Sequence, residues 1–259
     1  MDKIPSKGIT RRAKPPAQIN QSIRDAIECL LEIAAQERPI GSRELARRLG
    51  QNHSRINRII SMLSYMGLAD QTPDRKYIAG SGLLVLASLS LRGSPLYRCA
   101  MPHLEVLGDA TGYQVALGLR WRTNVSYLFH GHTQYHAALG IAAEKLYPAS
   151  ESSIGLALLA QLPREEVEQL YHQAAPHRSG TDIMQGLLEQ LELVRRQGYA
   201  IALNHRSIAV ALGKPAVAGI ALYHSEGQPE LPEDPAIRAE LVKQLHATAD
   251  GILLDISRG

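Results

Sequence analysis

At 259 residues, 45% hydrophobic and 20% charged, the chain can bury a real core and is long enough for a small domain and a medium one. Fifteen Lys or Arg stand against eight Asp or Glu through Arg92, a balance of +7, while the remainder holds thirteen basic and seventeen acidic residues, a balance of −4; a nucleic-acid module joined to something else is the expectation. The two cysteines have neither zinc spacing nor a disulfide framework, the N-terminus lacks an apolar signal segment, and the most apolar run, Leu83 to Leu91, falls far short of the roughly 20 residues that span a bilayer, so a reducing cytoplasm and no membrane are expected.

Residues 1–19 are basic, contain Pro5, Pro15 and Pro16 and show no periodicity, so they read as a flexible arm. Ser22 to Asp25 resembles a capping box, and Ile23, Ile27, Leu30, Leu31 and Ala34 mark a helix that Pro39 closes off. Ser42 then reads as the N-cap of a second helix, with Glu44 in its first turn, Leu45, Ala46 and Leu49 inward, and Gly50 as its stop.

The stretch from Gln51 to Gly67 follows almost at once. Ile56, Ile59, Ile60, Leu63 and Met66 recur at helical spacing and form one apolar stripe, while Ser54, Arg55, Asn57, Arg58 and Ser61 fall opposite. Taken alone this is an amphipathic helix like many others. Preceded by a short turn and a partner helix, it has the layout of a helix-turn-helix, whose second helix lies in the major groove and meets base edges with its early residues. Leu68 to Asp70 and Lys76 to Ile78 flank Thr72-Pro73-Asp74-Arg75, a turn between two short strands that reads as a wing. The candidate DNA-binding residues are Ser42, Arg43, His53, Ser54, Arg55, Asn57 and Arg58, with Arg75 and Lys76 at the wing tip placed for phosphates. Residues 20–79 are therefore expected to form a winged helix-turn-helix domain that binds double-stranded operator DNA.

Residues 80–94 carry Leu83 to Leu91, apolar on more sides than one, and read as a linker helix that pairs with its copy in a homodimer or packs on its own domain. From residue 95 to 259 helices alternate with short strands. Leu96, Ala100, Leu104 and Leu107 mark a helix; Val115 to Leu119 and Val125 to His130 form an antiparallel hairpin; a further strand is expected near Tyr135 to Ile141. A helix from Ser152 or Ser153 to Leu162, a short one from Pro163 to Tyr171 and a longer one capped by Thr181-Asp182 and running through Arg196 come next. Strands at Tyr199 to Leu203, Ser207 to Leu212 and Ala216 to Tyr223 and a final helix through Ile237, Leu241, Leu245 and Ile252 complete an α+β domain with helices on an antiparallel sheet.

From about Ser22 onward the sequence resembles the IclR family of bacterial transcription regulators. The resemblance rests on the winged-helix stretch, on Glu151-Ser152-Ser153-Ile154-Gly155-Leu156-Ala157-Leu158-Leu159-Ala160-Gln161-Leu162-Pro163, on Arg195-Arg196-Gln197-Gly198-Tyr199-Ala200 and on Arg206-Ser207-Ile208-Ala209-Val210, in that order. It implies a dimer or dimer of dimers, a GAF-like effector domain over residues 95–259, and control of catabolic genes by a small metabolite, often an organic or aromatic acid, with RNA polymerase as a further partner. The family's pocket-lining places fall near Leu139, Tyr147, Ser153, Ile154, His205, Ser207, Ala221 and Tyr223. Two departures stand out: Leu156 takes a place where the family usually has a basic residue in a small-residue turn, and Ala202 to Arg206 is short and basic where the family is usually longer and acidic.

Independently of the resemblance, the start of the Ser152 helix offers backbone N–H groups and the positive end of a helix dipole to a carboxylate, with the Ser152 and Ser153 hydroxyls beside it. Tyr147, Ile154 and Tyr223 would add an apolar wall and His205 or Arg206 a polar contact. Equally, Ser152 can be a plain N-cap and His205 a solvated loop residue.

Among rival chemistries, His130, His132 and His136 are the best metal candidates, but no Cys or acidic ligand accompanies them and no metal is expected. There is no nucleophile elbow, phosphate-binding loop or dinucleotide fingerprint, so neither an enzyme nor a cofactor is expected. A metabolite-responsive DNA-binding regulator leads, and an effector-independent one with a purely oligomerising C-terminal domain is the alternative.

Overall fold

The structure is a computed structural model and describes residues 18–131, 146–174, 181–202, 206–224 and 230–258. Its described residues divide into one unit ending at Ser94 and another beginning at Pro95.

In the front unit, helix α1 spans Gln21–Ala34, and its N-cap is Asn20, whose side chain accepts from the Ser22 and Ile23 backbone N–H groups. The cap thus sits two residues ahead of the capping box read at Ser22, because an asparagine in extended conformation can satisfy both donors. The inward face of α1 also differs from the expected stripe: Asp25, Cys29 and Ile33 are buried, while Ile23 and Ile27 look outward. Helix α2, Ser42–Arg48, is preceded by Gly41, which makes no side-chain cap; Ser42, expected as the cap, lies inside the helix with its Oγ 3.0 Å from His53 Nε2.

Helix α3, His53–Tyr65, is capped by Asn52, whose side chain accepts from Ser54 N. Ile56, Ile60 and Leu63 enter the core with Cys29, Ile33, Leu45 and Ala46 from the two other helices, while Met66, just past the helix, is exposed. Strands β1, Ala69–Gln71, and β2, Tyr77–Ala79, pair antiparallel one residue later than expected. Tyr77 also exchanges backbone hydrogen bonds with Ile40, which ties the hairpin to the turn before α2. Glycine is needed where the chain leaves this hairpin, since a Cβ on Gly80 would lie 2.5 Å from the Gly67 carbonyl oxygen. Helix α4, Ser81–Gly93, then buries none of its residues, and Leu84 is 74% exposed.

In the back unit, helix α5 spans Pro95–Thr111, and the hairpin of β3, Gln114–Trp121, and β4, Asn124–Gly131, follows as expected. The expected strand near Tyr135 to Ile141 lies outside the described residues. An unforeseen short strand, β5, Tyr147–Pro148, pairs with the start of β4. Helix α6 covers Ser153–Leu159 and stops short of the expected Leu162, because Pro163 opens helix α7, Arg164–Ala174, after a turn. Helix α8, Thr181–Gln197, and strands β6, Ala200–Ile201, β7, Ser207–Leu212, and β8, Ala218–Tyr223, precede a final helix α9, Pro235–Arg258.

The six strands form one antiparallel sheet in the order β5-β4-β3-β8-β7-β6. Alternation along the strands splits its side chains between two layers. Val115, Leu117, Phe129, Ile208, Val210, Ile220 and Leu222 pack on α5 and α9. Ala116, Val125, Ala209 and Ala221 pack on α6 and α8. The second face is built of small residues, and α6 lies close against it: Ile154 sits where a Cβ on Gly219 would be 2.7 Å from its Cγ2, and a Cβ on Gly155 would strike the Ala149 backbone.

Candidate nucleic-acid interface and effector site

In the front unit α3 presents His53, Ser54, Asn57, Arg58 and Ser61 to solvent. Arg43 is exposed on α2. The Ser42–His53 contact joins the first turns of α2 and α3, so two of the candidate DNA-binding side chains are already bonded to each other. Arg55 is placed differently from its neighbours. Its Nε lies 2.6 Å from Oδ2 of Asp25, a carboxylate on α1 that is only 1% exposed. The other Asp25 oxygen accepts a hydrogen bond from Gln21 Nε2 at 2.7 Å. Sequence reasoning missed Asp25, and a charged residue one turn before Cys29 on the inward face of an otherwise apolar helix was the available signal.

At the wing, Arg75 occupies a left-handed conformation, φ 59°, and is exposed. Lys76 is paired with Asp74 at 2.8 Å, and each holds the other's charge: the Lys76 ammonium is pushed up and the Asp74 carboxyl down, both chiefly by that contact. The wing tip therefore offers Arg75 as a cation with no ion-pair partner among the described residues and Lys76 as one already partly neutralised by Asp74. Arg48, by contrast, is spent within the fold on Glu32 and Glu44.

In the back unit the predicted pocket residues fall into groups. Leu139 and His205 lie outside the described residues, as do His132 and His136. Ser152, Ser153 and Ile154 are buried at the start of α6. Ser152 is the N-cap: its Oγ accepts from Gly155 N at 3.2 Å and lies 2.9 Å from the Tyr127 hydroxyl. Its hydroxyl is thus committed, and α6 is a helix of only two turns. Ser207 and Tyr223 face each other across β7 and β8, with Ala209 and Ala221 the next pair on the same face. Tyr147 is half exposed at the sheet edge. Arg206, considered as a polar contact for this site, falls on the opposite face; it lines a separate cavity of about 530 Å³ together with Ile208, His224 and Arg238.

Two residues not assigned to the pocket from sequence, Tyr127 and His130, join its end. The rings of His130 on β4 and Tyr223 on β8 stack at 4.0 Å with 6° between planes. Tyr127 tilts against the same imidazole at 5.0 Å. These strands flank β3, where Ala116 pairs with both His130 and Ala221 and is too small to keep the rings apart. Burial pushes the Tyr127 and Tyr223 phenols up. It also holds His130 below the usual imidazole range, because one ring face is covered even though the residue keeps an exposed edge. The cluster is consequently neutral, rich in hydroxyls and aromatic faces, and carries no charge of its own.

Comparison with known proteins fits both units. Residues 89–228, more than half of the chain, match the family described as bacterial transcriptional regulator IclR, C-terminal. The chain belongs to the IclR family. An HTH-type transcriptional regulator, KdgR, from Dickeya chrysanthemi is 28% identical over 174 residues, 66% of this chain and 57% of the relative; the chain therefore spans less than two thirds of that relative's length. A solved IclR-family transcriptional regulator from Brucella abortus superposes with a TM-score of 0.76 at 21% identity, covering 94% of this chain and 95% of that one. An IclR homolog from Microbacterium hydrocarbonoxydans, solved in complex with 4-hydroxybenzoate, superposes with a TM-score of 0.59 at 23% identity, covering 92% of this chain and all of that one. The fold is accordingly the IclR one, an N-terminal winged helix-turn-helix with a linker helix and a C-terminal GAF-like domain built on an antiparallel sheet. IclR-family proteins are regulators rather than enzymes. In this family member Leu156, which departs from the family's usual basic residue, is fully buried in the core between α6 and the sheet.

Proposed function

We propose that the protein is a DNA-binding transcription regulator, working in the cytoplasm, whose front unit over residues 20–79 reads operator DNA and whose back unit over residues 95–259 responds to a small molecule. The observation that carries the first half is the α2–turn–α3 arrangement with a solvent-facing row of Ser54, Asn57 and Arg58 at the start of α3 and Arg75 on the wing. Such groups hydrogen-bond base edges and phosphates. Two copies on a pseudo-palindromic site fit this reading, because α4 in residues 80–94 exposes Leu84, Val85, Leu86 and Leu89, apolar surface that a second copy would cover. A regulator seated at a promoter acts on RNA polymerase. No helix among the described residues is long and apolar enough to cross a membrane.

The effector is proposed to be an organic or aromatic acid bound near Tyr127, His130, Ser152, Ser153, Ser207, Ala221 and Tyr223. Hydroxyls of Ser and Tyr supply neutral donors for a carboxylate, and stacked rings supply the face for an aromatic body. The 4-hydroxybenzoate complex of the Microbacterium homolog supports that class of ligand. The observation that favours the effector-independent alternative is that His130 already stacks on Tyr223 and Ser152 is already bonded, so the cluster is self-satisfied as it stands.

Footprinting of the DNA upstream of the gene and its neighbours tests the first half. Asn57→Ala and Arg58→Ala together should abolish protection; protection equal to wild type would refute the role of α3. Thermal shift against a panel that begins with 4-hydroxybenzoate tests the second half, since a ligand at 100 times its dissociation constant stabilises by about 2.7 kcal/mol. A flat response across aromatic and aliphatic acids would favour the effector-independent regulator.

A further inference from the structure

Asp25 is the one acidic side chain among the described residues that the fold buries completely, and it lies on the inner face of α1 rather than at a surface. A carboxylate removed from water must be compensated. Here Gln21 Nε2 donates to Oδ1, Arg24 Nε stands 4.0 Å from the same oxygen, and Arg55 Nε lies 2.6 Å from Oδ2. The Arg55 contact is an ion pair off the N–H axis rather than an aligned hydrogen bond. What it fixes is therefore the place of the guanidinium, not a particular donor.

Such a pair is poor value as a stabiliser, because apolar residues of similar volume usually serve a core as well or better. Its geometry suits another task. Arg55 is the third residue of α3 after the Asn52 cap, in the part of a recognition helix that meets base edges. The side chain remains 35% exposed. The carboxylate stands nearest Nε, and the other edge of the guanidinium, Nη1 and Nη2, has no hydrogen-bond or ion-pair partner among the described residues. That edge is the fork that matches O6 and N7 of guanine. Arg58, a turn later, is exposed and has no such anchor, so it must be ordered at the moment of binding.

We infer that Asp25 is a positioning residue for sequence reading: from inside the helical core it holds Arg55 so that the Nη edge is presented to one guanine of the operator half-site. The inference rests on the reading of α3 as the DNA-reading helix. Its consequence is that a residue with no access to DNA sets how sharply one base pair is discriminated.

The test uses the full chain and a duplex library with a randomised centre. Wild type should enrich a sequence with one guanine per half-site whose replacement costs affinity. Asp25→Asn, which keeps the shape and the Gln21 bond, should lower discrimination at that guanine about tenfold while leaving the salt slope, which counts phosphate contacts, unchanged. Arg55→Ala should remove discrimination at the same base, and adding Asp25→Asn to it should change nothing further. Arg55→Lys, which keeps a charge beside Asp25 but has no fork, should retain the melting temperature and lose the discrimination. Unaltered discrimination in Asp25→Asn, an equal loss from Asp25→Asn with and without Arg55, or full discrimination in Arg55→Lys would each overturn the inference while leaving the regulator reading intact. If wild type enriched no sequence at all, the DNA-reading role of α3 would fall and this inference with it.

Discussion

The Asp25–Arg55 pair makes a stability prediction that separates it from every other basic residue on α3. Truncating Arg55 to Ala leaves the Asp25 carboxylate in place, 1% exposed and deprived of its nearest cation. Breaking a fully buried pair in this way costs about 3–5 kcal/mol. Arg55 is itself 35% exposed and Gln21 still donates to the other oxygen, so water and the amide recover part of that, and about 1–3 kcal/mol is expected. For a unit of this size each kcal/mol moves Tm by roughly 4–8 °C. The only tryptophan, Trp121, lies at the end of β3 in the back unit, so its fluorescence reports that unit while far-ultraviolet circular dichroism reports both. Arg55→Ala should bring forward the dichroism transition and leave the fluorescence transition where it is. Arg58→Ala, exposed and unanchored, should move neither. Asp25→Asn in the Arg55→Ala background should restore most of the loss, because the uncompensated charge is gone. If Arg55→Ala melted within about 0.5 kcal/mol of Arg58→Ala, the expectation for an ordinary surface substitution, the reasoning about the buried charge would be refuted.

Four further outcomes are expected. Ser152→Ala removes a helix cap and leaves the Tyr127 hydroxyl without its partner, which should cost the back unit about 1–2 kcal/mol by Trp121 fluorescence in urea, with Ser152→Thr recovering part of it. His130 has its pKa lowered by burial, so between the unfolded value near 6.5 and the lower folded one the unfolded chain takes up a proton that the fold refuses; back-unit stability should fall as pH drops through that window, His130→Phe should flatten the fall, and Tyr223→Ala should raise the imidazole pKa read by nuclear magnetic resonance. Arg75→Ala should reduce the salt slope of DNA binding by about one unit, and Lys76→Ala by less, since Asp74 already neutralises part of the lysine's charge; equal effects would contradict that pairing. Leu84→Glu with Leu89→Glu should shift the protein to monomer in sedimentation and weaken operator binding while the fold persists, whereas an unchanged dimer would place the interface elsewhere.

What the sequence showed well was whatever local physics decides alone. The α2–α3 spacing, the glycine stops, the proline turn of the wing and the β3–β4 hairpin all follow from short-range periodicity and turn chemistry, and the structure has them within a residue or two. The readings that failed are those where a residue elsewhere in the fold takes over a local preference. Ser42 has the right residue type for an N-cap, yet its hydroxyl meets His53 eleven positions on. Ile23 and Ile27 have the right spacing for an inward stripe, yet α1 is rotated so that Asp25 and Cys29 are inside. Periodicity could not have foreseen this, because it scores a carboxylate as outward by default and only the arginine arriving from α3 makes its burial tolerable.

The candidate effector site shows the same limit. Its backbone places, Ser152, Ser207 and Tyr223, were readable in order along the chain, but the stack of His130 on Tyr223 depends on two strands separated by a third and on an alanine between them. Alternation from Val125 would have put Tyr127 on the α6 face, and the bulge after it, where Gly118 pairs with Tyr127 and Leu117 with Phe129, then returns His130 to that face as well. Without the bulge a strict two-residue alternation would send His130 to the layer of α5 and α9. One extra residue in β4 thus decides that the histidine belongs to the small-residue face, where a ligand would meet it. Deleting Leu128, the residue without a partner on β3, should remove the bulge yet leave Phe129 opposite Leu117 and His130 opposite Ala116, so the ring stack and the lowered imidazole titration should persist; loss of that perturbed titration would refute this reading of the register.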